Sequence, residues 1–513
     1  MKKIVSQYIN GIYVETQQAA RALYNPATGE QIKQITYASE AEVNEAIHTA
    51  QIAFETWSET RVDTRLQLLT TFEQVIQRER NDLAKIIMEE EGKSFSAAQM
   101  DLQNLLSYLR YTLTASSLFA KRTFSERQRE KREEFSPLGV TGMIGTPEFP
   151  ALTNFWLVPI ALLLGNVCIV KATEVAPSVI LKLAEILTQI GLPNGVLNVI
   201  QGDHLVSEHL IRASGVQAIT SIATSSVFLE HMQLAHLTGK KIQQIMRPWS
   251  LSVVLEDACI DRVVEEIAQS MLVVPQSFSA SVSIQNASSV LAVGDVADKI
   301  VPRLKARLGQ FKLGPAQENE IAIGPLSSEQ HLHQMRKCID RAVTEGARVV
   351  LDGRRSYVRG YENGYYMSST LLDHVNQNMS TFKEDLMAPI LNVHRVPDLD
   401  EASTLLHQVT RPSMAEPSSS LRSLQATVAI YSENYDLARQ FAWSLPTTLL
   451  SINEKSTKHY LAQSGGRAIV LDPELRSMEA YSKAFFSRYK VININWSELK
   501  DDSENENRCT QRN

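Results

Sequence analysis

The stretch "NVCIVKAT", Asn166 to Thr173, runs through four consecutive apolar residues, Val167 to Val170, and then meets a lysine. Three of the four are β-branched and no polar residue alternates with them, so the segment reads as a strand covered on both faces. Its neighbours repeat the theme. "GVTGMIG" (Gly139–Gly145) is a second short apolar strand, and "ALTNFWLVPIALLLG" (Ala151–Gly165) between the two reads as a helix. Beyond Thr173 follow the helix "PSVILKLAEILTQIG" and the strands "GVLNVIQG" and "VQAITSIAT". Strands of about four to seven residues alternating with helices of roughly 12 to 17 predict right-handed βαβ units and a parallel, doubly wound sheet. Such sheets bind ligands at the carboxyl ends of their strands.

Working outward, a second α/β region is expected over Asp257 to Leu445, with strands such as "ARVVLDG" and "ATVAIYS". Toward the N-terminus, "QYINGIYV" and "ALYNPATGEQIKQI" read as short strands. In "SEAEVNEAIHTAQIAFETW", Val43, Ile47, Ala50, Phe54 and Trp57 recur on one helical face. Ser39 with Glu42 forms a capping-box start. A longer helix is expected from Asp63 to Glu90, stopped by Gly92. "TRPSMAEPSSSLRSLQ" reads as an exposed loop and residues 500–513 as a disordered tail.

The 513 residues exceed one hydrophobic core, and 44% hydrophobic with 21% charged residues describes an ordinary globular chain. A net charge of −6 gives no basic footprint for nucleic acid. The longest apolar run, "FWLVPIALLLG", falls short of the roughly 20 residues that span a bilayer, so no membrane is expected. The N-terminus has two lysines but no apolar run, which argues against a secretory signal. Four cysteines without paired spacing favour a reducing compartment, taken as the cytoplasm, and no zinc site. "HLH" at His331 to His333 lacks ligands at metal spacing.

Seven stretches then carry a family resemblance: "YINGIYVE", "YNPATGE", "SPLGVTGMIGTPEFP", "GLPNGVLNVIQG", "LGPAQENEIAIGPLSS", "EGARVVLDGR" and "GYENGYY…STLL". In this order, from Tyr8 to Trp496, they resemble the aldehyde dehydrogenases, nearest the CoA-acylating methylmalonate-semialdehyde dehydrogenase branch. The resemblance implies an α/β fold with a Rossmann-like cofactor domain (residues 1–120 and 137–256) and a catalytic-type α/β domain (257–445). It also implies a bridging β oligomerisation element with the C-terminal segment (121–136 and 446–499). The implied chemistry uses a cysteine thiolate on the aldehyde, two donors for the oxyanion, and hydride transfer to a nicotinamide cofactor. Water or CoA then releases the acyl group.

Carried over by position, the resemblance sets the nucleophile at Phe278 in "VVPQSFSASVSI", which has no lone pair to give. Losing a nucleophile costs on the order of a million-fold in turnover. The oxyanion-donor position in "TPEFP" is Glu148, which as a carboxylate accepts and does not donate. The deacylation position in "KKIQQIMRPWS" is Ile245, which moves no proton. The two arginines that would hold a substrate carboxylate correspond to Asn104 and Ser277, both uncharged.

The cofactor positions are mixed. Lys171 and Glu174 in "VKATE" are retained as contacts of the adenosine ribose, and Asp385 in "DLMAP" stands for a longer glutamate on the nicotinamide ribose. The glycine turn at the pyrophosphate becomes "ATSSVF", with Ala223 and Phe228 in the glycine places. Adenosine of NAD or NADP can still dock, whereas a nicotinamide set for hydride transfer, and CoA, are disfavoured.

Together these changes predict a catalytically inactive member of the family, retained for binding a small molecule or for assembly. It would form a homo-oligomer or a hetero-oligomer with an active paralogue. Two alternatives remain: an NAD(P)-dependent oxidoreductase with non-cysteine chemistry and Glu148 as base, or ester hydrolysis through Ser277 or Ser279.

Overall fold

The computed structural model describes residues 4–16, 18–114, 122–126, 129–147, 149–223, 225–246, 250–271, 287–315, 321–384, 386–410, 427–445, 449–454 and 478–495. Five short strands come first: β1 (Ile4–Val5), β2 (Tyr8–Ile9), β3 (Ile12–Tyr13), β4 (Arg21–Tyr24) and β5 (Gln31–Ile35). Three long helices follow, α1 (Glu40–Trp57), α2 (Val62–Glu91) and α3 (Phe95–Thr114). Ser39 and Glu42 close the capping box at α1 in both directions. Gly92 ends α2 at φ 64°, a left-handed conformation that glycine adopts without strain. On α1, Val43, Ile47, Ala50 and Trp57 are buried as the spacing predicts, while Phe54 is half-buried.

Strands β6 (Arg122–Glu126) and β7 (Arg129–Pro137) precede the alternating run. That run is β8 (Val140–Ile144), α4 (Pro150–Phe155), α5 (Val158–Leu163), β9 (Val167–Lys171) and α6 (Ser178–Gln189). It continues with β10 (Leu197–Ile200), α7 (His204–Arg212), β11 (Val216–Ala223), α8 (Ser225–Leu237) and β12 (Lys241–Met246). The segment expected as one helix, Ala151–Gly165, is two, because Pro159 supplies no N–H to continue a ladder and sits instead in the first turn of α5.

The second run is β13 (Ser250–Val254), α9 (Ile260–Met271), β14 (Ala287–Val293), α10 (Val296–Leu308) and α11 (Glu329–Thr344). Next come β15 (Arg348–Leu351), β16 (Thr370–Asp373), α12 (Ser380–Lys383), β17 (Ile390–Val396) and α13 (Leu399–Thr410). It closes with β18 (Thr427–Tyr431), α14 (Tyr435–Ser444) and β19 (Leu449–Ile452), after which α15 (Met478–Phe486) leads into β20 (Ser487–Asn495).

Two seven-stranded sheets organise the molecule, in the orders β12-β11-β8-β9-β10-β2-β3 and β15-β16-β17-β14-β13-β18-β19. Each is parallel through five or six strands and departs from the expected all-parallel pattern at one edge. The β2–β3 hairpin joins the first sheet antiparallel to β10, and β15 runs antiparallel to β16. The two N-terminal strand segments therefore part company, since β4 and β5 pair with β1 in a separate small sheet. The second sheet starts at β13 and ends at β19, so it extends past residues 257 and 445 on both sides. A fourth sheet, β20-β7-β6, is antiparallel.

Around the first sheet, strands β8, β9 and β10 are buried along their whole length and form one core with α1, α2, α3, α5 and α6. Burial of such apolar side chains is worth about 1.5–3 kcal/mol each. This rigid core presents the carboxyl ends of β8, β9, β11 and β12 at one edge.

Candidate functional site

Lys171 ends β9, and Glu174 follows in the loop toward α6. Their charged groups lie 3.9 Å apart, with the Lys171 side chain almost wholly buried and Glu174 half-exposed. Burial pushes the Lys171 ammonium down from its ordinary pKa, against the pull of Glu174 and then Asp203. The Glu174 carboxylate accepts a 2.8 Å hydrogen bond from the Tyr37 hydroxyl, which burial, helped by that carboxylate, keeps protonated. The guanidinium of Arg21 stacks 4.2 Å over the Tyr37 ring. Tyr37 and Arg21 were not singled out in the sequence; strand β5 brings Tyr37 to this edge from 137 residues away.

Behind Lys171, Ser221 on β11 and His231 on α8 meet at 3.0 Å between Oγ and Nδ1. Both are buried, and burial first, then the Lys171 charge, lowers the His231 pKa to about 4. The imidazole is therefore neutral at pH 7 and serves this contact as a hydrogen-bonding group.

The loop after β8 reaches α4 through Phe149, whose φ of 50° is uncommon for a residue with a side chain. Two contacts hold it. Lys93 Nζ lies 4.8 Å from the centre of the Phe149 ring, and the buried Asp101 carboxylate accepts the N–H groups of Ala151 and Leu152 at 2.9 and 3.0 Å. Burial raises the Asp101 pKa to about 6, with the Lys93 charge and the two N–H donors opposing it. One turn further along α3, the amide nitrogen of Asn104 is buried without a partner, and Tyr108 packs edge-on against Trp156 at 6.2 Å. Arg110, the arginine of α3, is engaged with Glu73 at 2.7 Å. On its described side the helix thus offers no guanidinium at Asn104.

Below these groups Met143, Thr220 and Gln243 stand in register on β8, β11 and β12, facing α4 and α5. With Thr153, Asn154 and Trp156 they line a cavity of about 20 Å³. Ile245 lies on β12 opposite Ile222 of β11, and Ala223 ends β11 ahead of α8, which contains Phe228. Phe278, Ser277, Ser279, Glu148 and Asp385 lie outside the described residues.

Two of the described thiols are inert by position. Cys168 is enclosed in β9 and Cys338 in α11, and burial pushes both up to about 12, for Cys338 with help from Glu384. Cys259 is exposed just before α9. Among the described residues no three His, Cys, Asp or Glu side chains gather as metal ligands, and no helix is long and apolar enough to cross a membrane.

The family model for the aldehyde dehydrogenase family matches residues 13–468. The chain is 32% identical over 401 residues to malonate-semialdehyde dehydrogenase 2 of Geobacillus kaustophilus, covering 78% of this chain and 82% of that one. It is 28% identical over 497 residues to malonate-semialdehyde dehydrogenase of Halalkalibacterium halodurans, covering 96% and 98%. Methylmalonate-semialdehyde dehydrogenase from Oceanimonas doudoroffii superposes with a TM-score of 0.84 at 26% identity, over 97% of this chain and 99% of that one. Betaine aldehyde dehydrogenase from Staphylococcus aureus, solved in complex with NAD+, shares the fold at a TM-score of 0.82 and 20% identity, over 96% and 95%. This chain belongs to the aldehyde dehydrogenase family, of the type of the methylmalonate-semialdehyde dehydrogenases.

Proposed function

We propose that this chain is a family member that has given up cysteine-dependent aldehyde oxidation and acts as a ligand-binding, assembling pseudoenzyme. One observation carries the reading: the nucleophile position falls on Phe278, and neither buried thiol, Cys168 or Cys338, is ionised to stand in for it. Glu148 at the donor position, Ile245 at the deacylation position, and Asn104 with Ser277 in place of two arginines agree with it. Asn104, with an amide where the branch has a guanidinium, gives a semialdehyde carboxylate no charged partner.

Purified protein assayed with NAD or NADP, with and without CoA, on malonate and methylmalonate semialdehydes should turn over no faster than a denatured control. Turnover clearly above that control overturns the reading.

The residues at the carboxyl edge of the first sheet fit a dinucleotide: Lys171 and Glu174 would hold its adenosine ribose, with Tyr37 fixing the Glu174 carboxylate, and Asp385 would hold the nicotinamide ribose. NAD is favoured, in line with the NAD+ complex of the Staphylococcus relative. Bound NAD would supply a hydride acceptor, held in this reading by the Rossmann-like domain, residues 1–120 and 137–256. The three-stranded sheet, with Phe135, Tyr489 and Val491 exposed on β7 and β20, would join copies of this chain or of an active paralogue in a reducing, cytoplasmic setting. Tyr489→Glu should then lower the mass measured by light scattering.

A second reading, a working NAD(P)-dependent oxidoreductase with non-cysteine chemistry, is favoured by the dehydrogenase relatives. It requires bound dinucleotide, and calorimetry without a heat signal from NAD or NADP would remove it.

A further inference from the structure

Gln243 is 1% exposed, and neither its amide nitrogen nor its amide oxygen has a hydrogen-bond partner. Buried side-chain amides are rarely left so. Four other polar groups of the cavity wall are spent, among them Ser221, paired with His231. Asn154 gives its nitrogen to the Pro150 carbonyl at 2.7 Å and its oxygen to the Thr173 N–H at 3.2 Å. Thr153 donates to carbonyls of the loop before α4, and the Thr220 hydroxyl is turned to the Met143 sulfur. Gln243 therefore brings one acceptor and two donors into a space otherwise lined by apolar groups, these spent groups and the Trp156 indole.

We infer that this cavity receives a primary carboxamide, paired edge to edge with the Gln243 amide. The complement of a side-chain amide is a group that sets one donor beside one acceptor, and a primary carboxamide does so while staying neutral. Charge points the same way, since neither Gln243 nor any other lining residue is ionisable. About 20 Å³ exceeds the roughly 10–15 Å³ that one water needs, which suits a small polar head and excludes a whole ring. Ile144 and Ile222, at and next to the carboxyl ends of β8 and β11, belong to the wall, so the rest of the ligand would lie along the edge where doubly wound sheets bind their ligands. The carboxamide has two sources: a free amide, or the nicotinamide end of a dinucleotide. The second rests on the reading above that this edge takes NAD.

The full-length protein and Gln243→Leu, which fills the same space without polar atoms, would be titrated by calorimetry with nicotinamide, nicotinate, NAD and ADP-ribose. Unchanged circular dichroism and melting establish that the variant is folded, and Gln243→Glu serves in its place if it is not. Two hydrogen bonds predict that nicotinamide binds the wild type about tenfold or more above nicotinate, with the preference lost in Gln243→Leu. NAD binding about tenfold tighter than ADP-ribose, and equal to it in the variant, assigns the site to the dinucleotide. Nicotinamide binding that depends on Gln243 with equal NAD and ADP-ribose affinities assigns it to a free amide. If the variant binds every ligand as the wild type does, or nicotinamide and nicotinate are both inert while NAD equals ADP-ribose, the cavity holds water and the inference falls. ADP-ribose binding in that case leaves the proposed dinucleotide edge standing, and its absence removes that as well.

Discussion

The two seven-stranded sheets have similar topology and opposite polar habits at the carboxyl ends of their strands. In the first, Lys171 at the end of β9 is buried against a loose ion pair, and Gln243 inside β12 has no partner at all. In the second, the groups at the strand ends are consumed by one another, and a buried acceptor without a partner, Asn392 Oδ1, stays within β17. Asp373 at the end of β16 takes two 2.9 Å hydrogen bonds from Arg395, which also reaches Asp298. Beyond β18, the Ser432 hydroxyl donates to Asp257, and Asn453 bonds the Ser432 backbone on both sides. A strand end whose polar groups are mutually satisfied is a structural joint, whereas one with unspent capacity can trade it for a ligand.

Arg395→Ala gives the largest effect that tests this contrast. It leaves the buried Asp373 carboxylate unpaired and should cost about 3–4 kcal/mol in chemical denaturation. In protein still folded it should leave NAD affinity within about twofold, and a tenfold loss would break the division between the halves.

Acid titration comes next. His231 has its pKa lowered to about 4, so the unfolded chain takes up a proton first as pH falls. Its contribution is complete above pH 6.5 and drains away between 6.5 and about 4, up to about 3 kcal/mol. Asp101 has the opposite sign. Its folded pKa is raised to about 6, so its contribution is greatest below about pH 4 and declines as pH rises through 6. Melts from pH 4 to 7 of wild type, His231→Gln and Asp101→Ala separate the two. A His231→Gln curve parallel to wild type would show that the buried pair with Ser221 does not couple to folding.

Asp101→Ala at pH 7 removes two hydrogen bonds to a charged acceptor but also relieves a buried charge, for a net loss of about 2 kcal/mol. Because α4 walls the Gln243 cavity, this variant should weaken binding at the first edge, which Arg395→Ala should not. The smallest expected effect is Ser39→Ala, about 1 kcal/mol from the α1 capping box, with ligand binding unchanged.

Where the signal is local, the sequence alone is sufficient. The alternation from Gly139 to Thr224 sets strands and helices in their order, because period and length act within a dozen residues. Ser39 with Glu42, and Gly92, mark helix ends through contacts within one turn. The family follows from the order of seven stretches, and Phe278, Glu148 and Asn104 are assigned to its site positions by that resemblance alone.

Tertiary structure decided whatever depends on partners far along the chain. Tyr8 pairs with Val199, so a hairpin read as an isolated strand pair extends the first sheet. Asp101 caps a helix 50 residues later, and Tyr37 meets Glu174 across 137. Lys171 is assigned to the cofactor by resemblance alone, and its being a buried ammonium is not legible in the sequence, since burial is set by what packs over it. Gln243 is ordinary in the sequence and becomes conspicuous only when Met143, Thr220 and Asn154 surround it and none of them pairs with it. An unsatisfied hydrogen bond is a property of the surroundings, and no residue carries it in its own identity.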